Sequence, residues 1–177
     1  FEAMLVRAPN TLVSVMLANN ETGVIQDMAM IGAMVRGAGA LLHIDAVQAF
    51  GKLPVNFGLL GCDMLTVAAH KVGGPKGIGA LVVRDGLAVE PLLVGGGQEL
   101  RRRAGTENII AIAGFAAVAG ETQLDTLQLT DQLVRGLDGA TVFSDRAERL
   151  SNTSCFALEG MPAETALMAL DLKGIAV

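Results

Sequence analysis

The sequence predicts an α/β protein with a mixed, mostly parallel sheet and flanking helices. Three observations carry that expectation. Short apolar runs of strand length recur at Leu12 to Ala18, Leu41 to Ile44 and Met64 to Ala68. A stretch with helical spacing separates the first two, and each run ends in turn-forming or polar residues. Runs apolar at nearly every position suit parallel strands covered on both faces better than strands with one wet face.

Taken in order, Leu12 to Ala18 (LVSVMLA) reads as a strand buried on both faces, stopped by Asn19-Asn20-Glu21-Thr22-Gly23. Between Asp27 and Arg36 the residues Met28, Ile31, Met34 and Val35 fall on one helical face, and Gly37 and Gly39 supply stop signals. Leu41 to Ile44 is a second strand ending at Asp45, and Met64 to Ala68 a third ending at His70-Lys71. Strand, helix and strand form a βαβ unit with a right-handed crossover, so the first two strands run parallel. Residues 48–63 leave room for another crossover, made irregular by Gly51, Pro54 and Gly58.

After Lys71 the connection is too short for a crossover, so Ala80 to Arg84 (ALVVR) is expected antiparallel to its predecessor. Gly95-Gly96-Gly97 opens a polar loop through Arg101, Arg102 and Arg103, and Asn108 to Gly120 reads as an apolar helix with Thr106 as its N-cap. A second helical pattern follows at Leu124, Leu127, Leu133, Val134 and Leu137. Shorter elements come after it: strands near Thr141 to Phe143 and Ser154 to Leu158, and a helix from Ala163 to Leu170. The change of texture near Glu121 marks an expected domain boundary, dividing 1–120 from a smaller α+β region at 121–177.

Composition removes several function classes. The longest uncharged apolar stretch, Ile109 to Gly120, is well short of the roughly 18 residues a membrane-spanning helix needs. No secretory signal is visible at Phe1, and cytoplasm is the default location. A net charge of −5 with 3% aromatic residues argues against a nucleic-acid surface, which needs basic patches and stacking rings. Cys62 and Cys155 stand apart from each other and from any Cys/His cluster, so neither a metal site nor a disulfide framework is expected. Both are expected in the core, Cys155 inside an apolar strand.

In an open α/β sheet, ligands sit beyond the carboxyl ends of the parallel strands. There the sequence places Asn19 and Asn20, then Asp45 with Gln48, then His70 with Lys71. The glycine-rich "AAHKVGGPKGIG" (68 to 79) could in principle cradle a nucleotide, but Lys71 precedes Val72 and Lys76 precedes Gly77, which breaks the phosphate-loop pattern. Its GxxxGxG spacing leads into a strand and offers no helix N-terminus for a pyrophosphate. Pyridoxal phosphate needs a lysine for a Schiff base, a carboxylate for its ring nitrogen and N–H donors for its phosphate. The residues also fit a plainer reading, a buried Asp45 satisfied by backbone N–H groups beside a snorkelling Lys71.

At these positions the sequence resembles the cysteine desulfurases of the NifS/IscS type, within the class V aminotransferase-like pyridoxal-phosphate enzymes. The motifs that carry the resemblance are "ANNETG" (18 to 23), "HIDAVQAFGKLP" (43 to 54), "AAHKVGGPKGIGAL" (68 to 81), "GGGQE" (95 to 99), "RRAGTEN" (102 to 108) and "NTSCFALEG" (152 to 160). The resemblance implies the aspartate aminotransferase-like fold of pyridoxal-phosphate transferases, with the chain covering part of the large domain and the start of a small one. It implies that Lys71 forms the Schiff base and shuttles the substrate's α-proton, and that Asp45 pairs with the pyridinium nitrogen. Gln48 and Asn20 would bond the ring oxygen, Asn20 also lying near the substrate carboxylate. His70 and the backbone around Ala68 would hold the phosphate, and Thr106 would reach the phosphate of a partner subunit's cofactor in a homodimer with shared sites.

The implied reaction turns L-cysteine into L-alanine and leaves a persulfide for an iron-sulfur scaffold or another sulfur-acceptor protein. Relatives often have Ser where this chain has Ala68, which removes one phosphate hydroxyl. The family's sulfur-attacking cysteine and carboxylate-gripping arginine would fall after Val177, and a phosphate threonine and ring-stacking histidine before Phe1. The link from Glu121 to about Asn152 is shorter than usual for the family. Other implied possibilities are a selenocysteine lyase, another class V lyase or aminotransferase, and a non-catalytic dimerisation or scaffold domain.

Overall fold

A computed structural model describes residues 10–121 and 126–177. Of these, residues 10–17 and 26–121 gather into one compact unit, and 18–25 with 126–177 into another.

The first unit is built on a sheet of strands β1 (Leu12–Met16), β2 (Leu41–Asp45), β3 (Met64–Ala68) and β4 (Gly79–Val83), in that spatial order. β1, β2 and β3 are parallel and β4 is antiparallel to β3, as the connection lengths predict. Helix α1 (Met28–Gly37) makes the first crossover. Its start is fixed by Asp27, whose Oδ1 accepts the Met30 N–H at 2.9 Å, and it buries Met28, Gly32 and Val35. The second crossover is irregular, as expected, with one helical turn, α2 (Phe57–Leu60). Asn56 caps that turn by accepting the Leu59 N–H, and Gly61 ends it in the left-handed conformation.

The sheet alternates where full burial was expected. Val13, Leu42, Ile44, Leu65 and Val67 are buried on one face, whereas Leu12 is 53% exposed and Ser14 is exposed too. The opposite face is mixed and carries a polar row: Ser14 bonds His43 Nδ1 at 2.7 Å, and His43 Nε2 lies 3.2 Å from Thr66 Oγ1. A hydrogen-bonded ladder across three strands occupies that face, so an apolar run in the sequence does not by itself imply two dry faces.

Helix α3 (Ile109–Ala119) follows the long polar loop. Its N-cap is Asn108, which accepts the Ala111 N–H at 3.1 Å, and not Thr106 as the sequence suggested. Helix position decides this: Asn108 sits three residues before the amide it must reach, and Thr106 lies too far upstream. Phe115 of α3 meets Phe50 edge to face at 6.1 Å.

The second unit contains helix α4 (Leu127–Arg135), a two-stranded antiparallel ribbon of β5 (Ala140–Val142) and β6 (Phe156–Leu158), and helix α5 (Ala163–Asp171). The expected helical position at Leu124 lies outside the described residues. Residues 18–25 belong to this unit because Ile25 donates to Glu148 O and Leu150 donates to Gly23 O, each at 2.9 Å. Fully buried Leu150 is their hydrophobic anchor. Cys155 precedes β6 and is only half-buried, not a core residue inside the strand, because the strand begins at Phe156, two residues later than expected.

Candidate active site

The carboxyl ends of β2 and β3 bring together most of the residues singled out in the sequence. Asp45 is the last residue of β2 and stands opposite Thr66 of β3. Its Oδ1 accepts the Val47 N–H at 2.9 Å, so the carboxylate turns the chain out of the strand and stays half-buried. Ala46 then donates to Thr66 O at 3.0 Å, which ties the start of the next turn to β3.

Residues 46–53 continue as successive tight turns, with Phe50 donating to Ala46 O at 2.8 Å and Leu53 to Ala49 O at 2.9 Å. That winding places Gln48 and Lys52 one turn apart, and the Lys52 ammonium donates to Gln48 Oε1 at 3.3 Å. Burial pushes the Lys52 proton affinity below the ordinary lysine range, and the positive charge of Lys71 lowers it further. Sequence reasoning gave Lys52 no role. The available signal was a basic residue four positions beyond Gln48, in a segment already carrying a motif.

Lys71 lies in a 3-10 turn, Ala69–Lys71, directly after β3. The loop that follows is closed at its base by Ala69, which donates to Ile78 O at 3.1 Å and whose carbonyl accepts the amides of Val72 and Gly74. His70 and Lys71 are exposed on it, Ala69 and Val72 are buried under it, and Ala68 ends the strand beneath. Lys76, on the outer part of the loop, is exposed.

Gly51 shows how closely the two segments approach. Its φ is +76°, and a Cβ there would meet Val72 Cγ1 at 2.7 Å, so only glycine fits. Gly79 similarly lets β4 pass Val67 O, which a Cβ would meet at 2.7 Å. The glycines of "AAHKVGGPKGIG" therefore serve a tight strand reversal, and the nucleotide cradle is set aside.

Two further sequence-predicted residues are carried by other segments of the chain. Asn20 belongs to the second unit, exposed in a turn built by Asn19, whose Oδ1 accepts the Glu21 and Thr22 amides at 2.9 Å. Thr106 is exposed in the polar loop before α3. Within that loop Glu99, Leu100 and Arg101 all take positive φ, and Arg101, Arg102 and Arg103 are exposed. Cys62 is buried, and burial raises its thiol pKa above the ordinary value. Among the described residues, no group of His, Cys, Asp and Glu is arranged to hold a metal ion.

Comparison with known proteins agrees with this geometry. The sequence matches the aminotransferase class-V family over residues 3–177. It is 44% identical over 174 residues to cysteine desulfurase 2 of Trichormus variabilis and 42% identical over 177 residues to a cysteine desulfurase of Nostoc sp.. Each alignment covers 93% of this chain and 44% of the relative, so the chain spans less than half the length of those proteins. The solved NifS-like protein of Rickettsia africae superposes with a TM-score of 0.92 at 34% identity, over 99% of this chain and 52% of that one. The fold class expected from the sequence is thus the one observed. With topology, motif order and family match in agreement over nearly its whole length, the chain belongs to the aminotransferase class-V family.

Proposed function

We propose that this chain is the cofactor-binding portion of a cysteine desulfurase that converts L-cysteine to L-alanine and passes the sulfur to a cysteine thiolate. The cofactor of this family is pyridoxal phosphate. The observation that carries the proposal is a lysine presented immediately after β3, beside the carboxylate-bearing end of β2, in a chain 42% to 44% identical to cysteine desulfurases.

The donor set fits the group. Lys71 offers an exposed amine, and Asp45 a half-buried carboxylate with one oxygen already on the Val47 amide and a second for a ring N–H. Gln48 would bond the ring oxygen. His70 and the Ala68 backbone would hold the phosphate. When bound, pyridoxal phosphate supplies an electron sink that makes the substrate's α-proton acidic. Lys71 would take that proton from the α-carbon, and Asp45 would hold the ring N–H. An attacking thiolate then forms an S–S bond as the substrate's C–S bond breaks, and the carbon skeleton regains protons and leaves as L-alanine. Cys62 does not suit that attack, because it is buried and its thiol holds its proton.

A homodimer with shared sites belongs to the same proposal. Helix α3 is apolar around its circumference, yet Ile109 and Ile110 are 73% and 83% exposed, and Leu81 and Val82 of β4 are exposed as well. Apolar surface of this kind supports an interface with a second copy, where Thr106 would meet the partner's cofactor phosphate. The persulfide would be consumed by an iron-sulfur scaffold or another sulfur acceptor in the cytoplasm. No described helix is long and apolar enough to cross a membrane.

The test is turnover. The longer protein containing this chain, incubated with L-cysteine, a thiol reductant and pyridoxal phosphate, should release sulfide and alanine in equal amounts, and Lys71→Ala should release neither. Equal rates with and without Lys71 would overturn the proposal.

A further inference from the structure

We propose that Lys52 is a positioning residue for this site: by donating to Gln48 Oε1 it fixes the Gln48 amide so that its NH2 is the end left to donate to the cofactor's ring oxygen. The inference rests on the reading above, in which Gln48 faces that oxygen. It goes beyond it by naming what decides which end of the amide is presented.

An ammonium has three N–H donors and no acceptor, so the side of the Gln48 amide facing Lys52 must be its oxygen. The opposite flip would set NH2 against NH3+ and leave both without an acceptor. The bond is 3.3 Å long and joins residues one turn apart on the same wound segment. The segment lies close to the Lys71 loop: a Cβ at Gly51 would meet Val72, the residue that follows Lys71, at 2.7 Å.

Burial makes the choice matter. Gln48 and Lys52 are both half-buried, so water only partly replaces a lost bond. Burial first and the positive charge of Lys71 second depress the proton affinity of Lys52, which puts its ammonium within electrostatic reach of the candidate catalytic lysine. A phenolate-type ring oxygen accepts hydrogen bonds and cannot donate one. Lys52 therefore favours the one amide orientation that suits that oxygen.

The experiment follows the pH midpoint of the bound cofactor's long-wavelength absorbance in the longer protein. Lys52→Met should move it upward, since the ring oxygen loses a fixed donor and a nearby positive charge, and should weaken cofactor retention about threefold to tenfold, the scale of one hydrogen bond. Lys52→Arg keeps a donor and the charge and should stay close to the original midpoint. In a Gln48→Ala background, Lys52→Met should move the midpoint less than about half as far, because the two residues act as one unit. Equal shifts in both backgrounds would overturn the proposal and leave a charge effect alone.

A second readout needs no cofactor. In 15N-glutamine-labelled apoprotein, the Gln48 side-chain amide resonances should shift in Lys52→Met and return toward their original positions in Lys52→Arg. Unmoved resonances would overturn the proposal. If the unaltered protein takes up no cofactor while those resonances respond as expected, the Lys52 contact stands and the reading of the site fails.

Discussion

Two regions of the first unit, the strand-end segments 43–54 and 68–79 and the loop 95–108, carry family motifs but are held in different ways. Residues 43–54 and 68–79 are locked to the sheet: Asp45 by its own turn, Ala46 by Thr66, Ala69 by Ile78, and Gly51 by contact with Val72. Residues 95–108 form an exposed loop in which Glu99, Leu100 and Arg101 have positive φ and buried Gln98 Oε1 has no hydrogen-bond partner among the described residues. The contrast teaches that the strand-end motifs are positioned by this unit's own fold. The arginine-threonine loop carries positive-φ residues and exposed arginines, and in the proposed dimer it would meet the partner's cofactor.

That contrast can be broken by substitution, beginning at the sheet edge. Asp45→Ala should lower turnover by about a hundredfold or more, the scale of removing a preorganised electrostatic group, as measured by alanine formation at saturating cysteine. A loss smaller than that caused by Thr106→Val would invert the comparison. Gly51→Ala should cost about 1–3 kcal/mol of stability, from a left-handed φ and a Cβ forced onto Val72, read as a lowered thermal midpoint.

Smaller effects sharpen the loop side. Asn108→Ala removes the cap of α3 and should cost about 1 kcal/mol in the same assay, whereas Thr106→Ala should leave stability nearly unchanged. Thr106→Val should instead weaken cofactor retention by no more than about tenfold, the worth of one hydrogen bond, in a dilution assay. The two cysteines give the mildest contrast. At neutral pH a thiol reagent should modify half-buried Cys155 first. It should reach Cys62 only on unfolding or at higher pH, because burial keeps the Cys62 thiol protonated.

Lys52 adds a linkage prediction. Its folded proton affinity lies below its unfolded one, so its burial opposes folding at neutral pH, and that opposition fades as pH rises through the folded value toward the unfolded one. Lys52→Met should thus fold at least as stably at pH 7, and any gain should shrink at alkaline pH.

Much of this was legible in the sequence wherever a local rule decides the outcome. Met64–Ala68 is strand to the residue, β4 reverses because the loop after Lys71 is short, and α1 starts at its Asp27 cap and is followed by left-handed Gly39. What escaped depends on through-space relations. The partly exposed polar row of Ser14, His43 and Thr66 depends on what covers the sheet, which residue order does not state. Residues 18–25 join the second unit through bonds to Glu148 and Leu150, more than 120 positions away. Lys52 became visible only when the winding of 46–53 set it against Gln48. The cap of α3 was recoverable, since Asn108 is as good a capping residue as Thr106 and is better placed.

The most direct test of the central claim is chemical. The longer protein should be purified with pyridoxal phosphate, reduced with borohydride, digested and mapped by peptide mass. The account predicts a pyridoxyl label on Lys71 and none on Lys52 or Lys76. A colourless protein, or a label fixed at any other lysine, would contradict it.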